Sequence, residues 1–154
     1  MIINFLYRLK NRLIESYIPV FFKCMYGARF GRCGEMRLQK GSEIILEGKK
    51  SSCFFEGNFS SRKAFLLRVC DNAQCIIGKN VFFNNYCSVT SMKKIEIGDD
   101  CIFGENVKIY DHNHNYKDKE YLIREQGCSA DEVVIGNNCW IGSKIGRAHV
   151  WTPV

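Results

Sequence analysis

An all-β chain wound into a three-sided parallel helix is the fold this sequence predicts, and a six-residue repeat carries the prediction. Ile97 to His114 reads I-G-D-D-C-I, F-G-E-N-V-K, I-Y-D-H-N-H, with an apolar residue leading each unit at Ile97, Phe103 and Ile109 and a compact residue four places on at Cys101, Val107 and Asn113. The same spacing runs through Ile77, Phe83 and Val89, with Val81 and Cys87 as compact partners, and resumes at Ile135 and Ile141 with Cys139 and Ile145. Neither a strand of period two nor a helix of period 3.6 produces it. It suits units that are each a short flat strand and a turn, with the leading and compact side chains both aimed inward. Three units close one coil, and coils stack through parallel backbone hydrogen bonds, burying a column that no single unit buries alone.

Composition agrees. The chain has 154 residues, enough for one domain with a core of its own. Its hydrophobic share of 46% and charged share of 25% are those of a folded protein rather than a disordered one. Nine cysteines are dispersed singly with no CxxC pair, and Cys87, Cys101 and Cys139 fall on the compact inward position. They read as small buried thiols in a reducing compartment, which points to the cytoplasm. A net charge of +6 would suit phosphate-bearing ligands or anionic surfaces, but Lys and Arg form no dense run and no nucleic-acid motif is present. The expectation is a diffuse basic surface and no nucleic-acid partner.

Residues 1–26 precede the repeat. Ile2, Phe5, Leu6, Leu9, Leu13, Tyr17 and Ile18 lie at helical spacing with Arg8, Lys10, Arg12 and Glu15 on the other face, which predicts an amphipathic helix ending near Pro19. Its charges exclude a signal core or a membrane span. A cap over the open end of the stack is the first reading of this helix, and contact with a membrane surface, favoured by Val20-Phe21-Phe22, is the second. Between Gly27 and Asn72 the repeat weakens to short apolar runs separated by Gly, Ser and Lys, as irregular early coils would give. The β-helix domain is expected over 27–144. Residues 115–131 lack the repeat and are rich in charge, so they read as a functional loop leaving one corner. The last ten residues, I-G-R-A-H-V-W-T-P-V, match the translation of a sequencing adapter with its TGA codon read as tryptophan. The expectation is that 145–154 is a non-native tail and that the natural chain continues differently after about Lys144, with further coils.

Of three histidines, one lies in that tail, and the others sit in Asp111-His112-Asn113-His114 where the loop departs. In the register set by Ile109, Asn113 points inward and both imidazoles remain available to a cleft. One imidazole acting as a general base would let a hydroxyl attack an acyl carbon. Two solvent-exposed histidines in a polar turn are the plain alternative, and a metal site would need a third ligand that the neighbouring sequence lacks.

Residues Val81 to Ser143 resemble the hexapeptide-repeat acyltransferases, in particular the galactoside and maltose O-acetyltransferases and the polysaccharide O-acetyltransferases with an Asp-His-x-His motif. The resemblance implies a left-handed parallel β-helix, assembly as a homotrimer, and acetyl-CoA and a sugar or glycan acceptor held between neighbouring subunits. Asn106-Val107, followed by a histidine after an eight-residue step, selects His114 as the counterpart of the catalytic base, with His112 second. Asp111 is the expected substrate-binding neighbour, and it or a main-chain carbonyl would fix the imidazole tautomer. Phe83-Asn84-Asn85-Tyr86 resembles the acceptor-binding segment and places Asn85 at the hydroxyl; a turn asparagine with a left-handed backbone is its structural alternative. Asn138-Cys139-Trp140-Ile141-Gly142-Ser143 resembles the border of the CoA pocket, with Trp140 as a wall and Gly142 and Ser143 as cofactor contacts; Trp140 at a subunit interface is the alternative. Where the galactoside enzymes carry an acidic pair, this chain has Ser91-Met92-Lys93-Lys94, so its acceptor is held differently. The rival readings are a metal enzyme of the carbonic-anhydrase type, which needs three zinc-binding histidines, and a β-helical scaffold without activity.

Overall fold

The computed structural model describes residues 20–32 and 34–143. The helix expected over residues 2–18 and the tail 145–154 lie outside these. Residues 20–26 are helical, beyond the Pro19 boundary that the sequence suggested, because a proline bars helix interior positions but not the residues that follow it.

The rest of the described residues form a parallel β-solenoid of four coils and part of a fifth, each full coil giving one strand to each of three sheets. The coils are β1 (Phe30–Arg32), β2 (Met36–Leu38) and β3 (Glu43–Leu46); β4 (Ser52–Phe55), β5 (Phe59–Ser61) and β6 (Leu66–Val69); β7 (Gln74–Ile77), β8 (Val81–Phe83) and β9 (Ser88–Ser91); β10 (Lys94–Ile97), β11 (Ile102–Phe103) and β12 (Lys108–Tyr110). An antiparallel pair, β13 (His112–His114) with β14 (Cys128–Ala130), then leaves the stack before β15 (Val133–Ile135) and β16 (Trp140–Ile141) resume it. The first sheet runs β1-β4-β7-β10-β15, the second β2-β5-β8-β11-β16 and the third β3-β6-β9-β12.

Register explains the core. Phe55, Ile77, Ile97 and Ile135 are successive partners in the first sheet, Ser61, Phe83, Phe103 and Ile141 in the second, and Ile44, Leu67, Val89 and Ile109 in the third. Ile97, Phe103 and Ile109 are all buried, as the repeat predicts, and so are Val81, Cys87, Cys101 and Val107. A string of rings, Phe22, Phe30, Phe55, Phe59, Phe65, Phe83 and Phe103, runs through the interior with neighbouring centroids 4.1–5.7 Å apart. Phe22, from the helical residues 20–26, begins it, so these residues cover the first coil. Tyr26 fixes them further by donating from its hydroxyl to the Ile44 carbonyl at 3.1 Å.

The early coils are regular, contrary to the expectation from their weak repeat. What varies is one corner. Between the third sheet and the first the connections are 47–51, 70–73 and 92–93, then 111–132, which contains the antiparallel arm. Each extra residue there shifts the phase of the repeat without disturbing the strands. At the other corners one position is left-handed in coil after coil: Gly41, Ala64, Tyr86 and Asn106 at one, Asn80, Asp100 and Asn138 at the other. Asn and Gly tolerate this backbone, whereas Ala64 and Tyr86 hold it at a cost of roughly 1–2 kcal/mol.

Phe83 touches Phe59, Phe65 and Phe103 and has no exposed surface. Urea denaturation of Phe83→Ala is expected to show a loss of about 3–5 kcal/mol, the usual cost of removing a buried ring. The Ser61 hydroxyl below it is buried without a hydrogen-bond partner. Ser61→Ala is therefore expected to be neutral or stabilising by up to about 1–2 kcal/mol in the same measurement.

Candidate active site at the arm corner

The arm begins where a polar group takes a core position. Tyr110 pairs with Thr90, so the next residue, Asp111, stacks over Ser91 at the head of the column formed by Leu46, Val69 and Ser91. Its side chain has no exposed surface. Oδ1 accepts from the Met92 amide at 2.7 Å, and Oδ2 accepts from the Lys93 amide and the Ser91 hydroxyl, each at 2.8 Å. His112 Nδ1 lies 3.2 Å from Oδ1. Burial opposes ionisation of this carboxyl, but the bonds from Met92, Lys93, Ser91 and His112 outweigh it and hold Asp111 below the ordinary aspartate range. The residues 91–93, which read in the sequence only as a polar turn, are thus the cradle of a buried carboxylate.

Beyond Asp111 the chain abandons the coil, so the repeat phase no longer applies. Asn113, expected to point inward, is exposed, because β13 pairs antiparallel with β14 instead of continuing the coil. Alternation along β13 puts His112 and His114 on one face. The half-buried His112 packs edge-on against Tyr110, with centroids 5.6 Å apart. The exposed His114 sits across from Cys128, with Nδ1 and Sγ 3.4 Å apart. His112 borders a cleft of about 330 Å³ with Tyr110 and Glu132, and His114 borders one of about 720 Å³ with Tyr116, Lys117 and Glu125.

Residues 115–127 supply their own polar framework. Gln126 Nε2 donates to the carbonyls of Asp118 and Tyr121, and Asn115 Nδ2 donates to the Gln126 carbonyl. Tyr116, Tyr121, Leu122 and Ile123 remain exposed.

The other site candidates lie at a different corner. Asn85 is half-buried and does not hold the left-handed position, which falls on Tyr86. Its Nδ2 donates to Glu105 Oε1 at 2.7 Å, and the Glu105 amide donates to Ser143 Oγ at 2.8 Å. Ser143 thereby does what Asn137, Asp99 and Asp71 do elsewhere: a side-chain oxygen accepts from the amide of the corner one coil below. Gly142 is half-buried beside it, and Gly104 below leaves no room for a side chain, since an added Cβ would lie 2.6 Å from Ser143 N. Trp140 is 78% exposed and stacks in register on Ile102 and Phe82, an apolar ladder on the outer face of the second sheet. The three residues of β12, roughly 10 Å of strand, separate this corner from the arm. Within one chain, Asn85, Trp140, Gly142 and Ser143 are therefore grouped together and apart from Asp111, His112 and His114. Among the described residues no three His, Cys, Asp or Glu side chains gather as a metal site, and no helix is long and apolar enough to cross a membrane.

Fold and repeat together define a hexapeptide-repeat β-solenoid with an inserted arm. The chain is 24% identical over 140 residues to a protein of Escherichia coli (strain K12) named as a putative lipopolysaccharide biosynthesis O-acetyl transferase, WbbJ, an alignment covering 76% of this chain and 70% of that relative. No protein-family model matches the chain. No solved structure matches it either.

Asp111→Ala is expected to destabilise the fold by about 2–4 kcal/mol, since two amides and a hydroxyl lose their acceptor. A depressed carboxyl pKa contributes stability that is fully present above the unfolded value of about 4 and is lost as pH falls through the folded value. The gap between wild type and variant in urea denaturation is therefore expected to narrow from pH 7 to pH 3.

Proposed function

We propose that the protein is an O-acyltransferase that moves an acetyl group from acetyl-CoA to a hydroxyl of a sugar or glycan, with surface polysaccharide as the acceptor class. The observation that carries this reading is a pair of imidazoles on one face of β13, beside open clefts, in a chain similar to a protein named as an O-acetyl transferase. One imidazole, His114 by resemblance and His112 as the second candidate, takes the acceptor's proton as its oxygen attacks the thioester carbonyl. The C–S bond of the tetrahedral intermediate then breaks, and the departing thiolate receives the proton.

Asn85, Trp140, Gly142 and Ser143 form the other half of the site in this reading. Because they sit one strand away from the arm, the reading includes a homotrimer in which the arm of one subunit meets the Asn85 corner of its neighbour. The ladder of half-buried Phe82 and exposed Ile102 and Trp140 suits such a contact. The cytoplasm is the proposed compartment, in keeping with eight free thiols among the described residues.

The purified protein, acetyl-CoA and a panel of glycosides and oligosaccharides test the reading through release of free CoA thiol. Acceptor-dependent release is expected, with a loss of at least about 100-fold when His112 and His114 are both replaced by alanine. Wild-type release by the double variant would contradict the assignment of the chemistry to the arm.

A further inference from the structure

We infer that Asp111 is a positioning residue that locks His112 in the tautomer carrying its proton on Nδ1, so that His112 Nε2, rather than His114, is the arm's proton acceptor. The inference rests on the acyltransferase reading only for what the acceptor does; the tautomer stands on the geometry alone.

The argument starts from what each imidazole faces. An ionised carboxylate has lone pairs and no hydrogen to give. Asp111 is held ionised by two amides and a hydroxyl, and its oxygens cannot turn away because Met92, Lys93 and Ser91 fix both of them. The only arrangement that makes a hydrogen bond of the 3.2 Å contact has His112 Nδ1–H donating to Oδ1. In the neutral ring the lone pair is then on Nε2. Tyr110 packed edge-on restrains the plane of the ring, and the half-buried His112 borders the smaller cleft. A proton taken up on Nε2 leaves an imidazolium next to a buried negative charge, which stabilises it as the transfer proceeds.

His114 has no such support. Its Nδ1 faces the Cys128 thiol, which can donate to an imidazole nitrogen or accept from one, so neither tautomer is imposed. The ring is exposed and stands on the part of the arm farther from the coil. A base needs a fixed lone pair in a fixed direction, and of the two histidines only His112 has both. His114 then serves as a donor or a wall of the larger cleft.

Nitrogen NMR of the histidine rings in the full chain tests this without any substrate. In the neutral ring, wild-type His112 is expected to show hydrogen on Nδ1 and none on Nε2. Asp111→Ala, which removes the acceptor facing Nδ1, is expected to release the ring from the Nδ1–H form and move hydrogen to Nε2 while leaving His114 unchanged. Ser91→Ala, which loosens the cradle without touching Oδ1, is expected to lower stability and keep the Nδ1–H form, which separates positioning from a merely structural role. In acetyl transfer, His112→Gln is expected to lower kcat/KM by at least about 100-fold and His114→Gln by less than about tenfold. Wild-type His112 with its hydrogen on Nε2, a tautomer indifferent to Asp111→Ala, or a larger loss in His114→Gln than in His112→Gln would each overturn the inference. A wild-type protein that transfers no acyl group to any acceptor would instead contradict the proposed function, and the ring nitrogens would still decide the role of Asp111.

Discussion

In a solenoid every inward side chain rests on the equivalent side chain of the coil below, and this constraint governs the molecule. It makes the core a set of columns. Two of them carry on into the partial fifth coil as Ile135 and Ile141. The column of Leu46, Val69 and Ser91 carries on as Asp111, a charge at a core position. Placing it there is tolerable because the corner below supplies two amides and a hydroxyl, so the charge is never without donors. The carboxylate in turn ties the departing arm to the stack.

The same constraint explains why one corner accommodates the variation. Strands that must stay in register cannot gain or lose residues, and the two corners with a repeating left-handed position are pinned by backbone bonds from each coil to the next, such as Tyr86 N to the Lys63 carbonyl and Asn138 N to the Asp99 carbonyl. The corner between the third and first sheets has connections of different lengths in successive coils, and it is there that the arm emerges. Insertion at a loop-tolerant corner of a rigid scaffold is a common way to mount side chains that work.

Much of the fold was legible because columns are apolar. Ile77 through Ile109 announce the six-residue phase directly, and their burial follows. The first coils were harder to read, since residues 47–51 and 70–73 lengthen one corner and the phase slips between coils that are structurally alike. Of the candidate site, the two histidines beside the loop could be read from the sequence, but not their hydrogen-bond partners. Asn113 was misplaced because the repeat was carried past the point where the chain leaves the coil. The cradle of Asp111 was missed because Ser91-Met92-Lys93 carries no motif, although Asp111 falling two places after the inward Ile109, at a core position, was a signal in plain view. Asn85 and Ser143 were read for chemistry, and each also has a structural use: one bonds the Glu105 side chain, the other staples the corner below it.

The most direct test of this account is native-state amide hydrogen exchange at Met92 and Lys93. Both amides lie in a two-residue surface connection, where exchange is ordinarily fast, and both donate to the Asp111 carboxylate. The account predicts protection at these two amides comparable to that of the neighbouring strands β9 and β10. Exchange as fast as in the exposed turn around 116–121 would mean that no carboxylate is buried there, and that the arm is not anchored to the core in the way described.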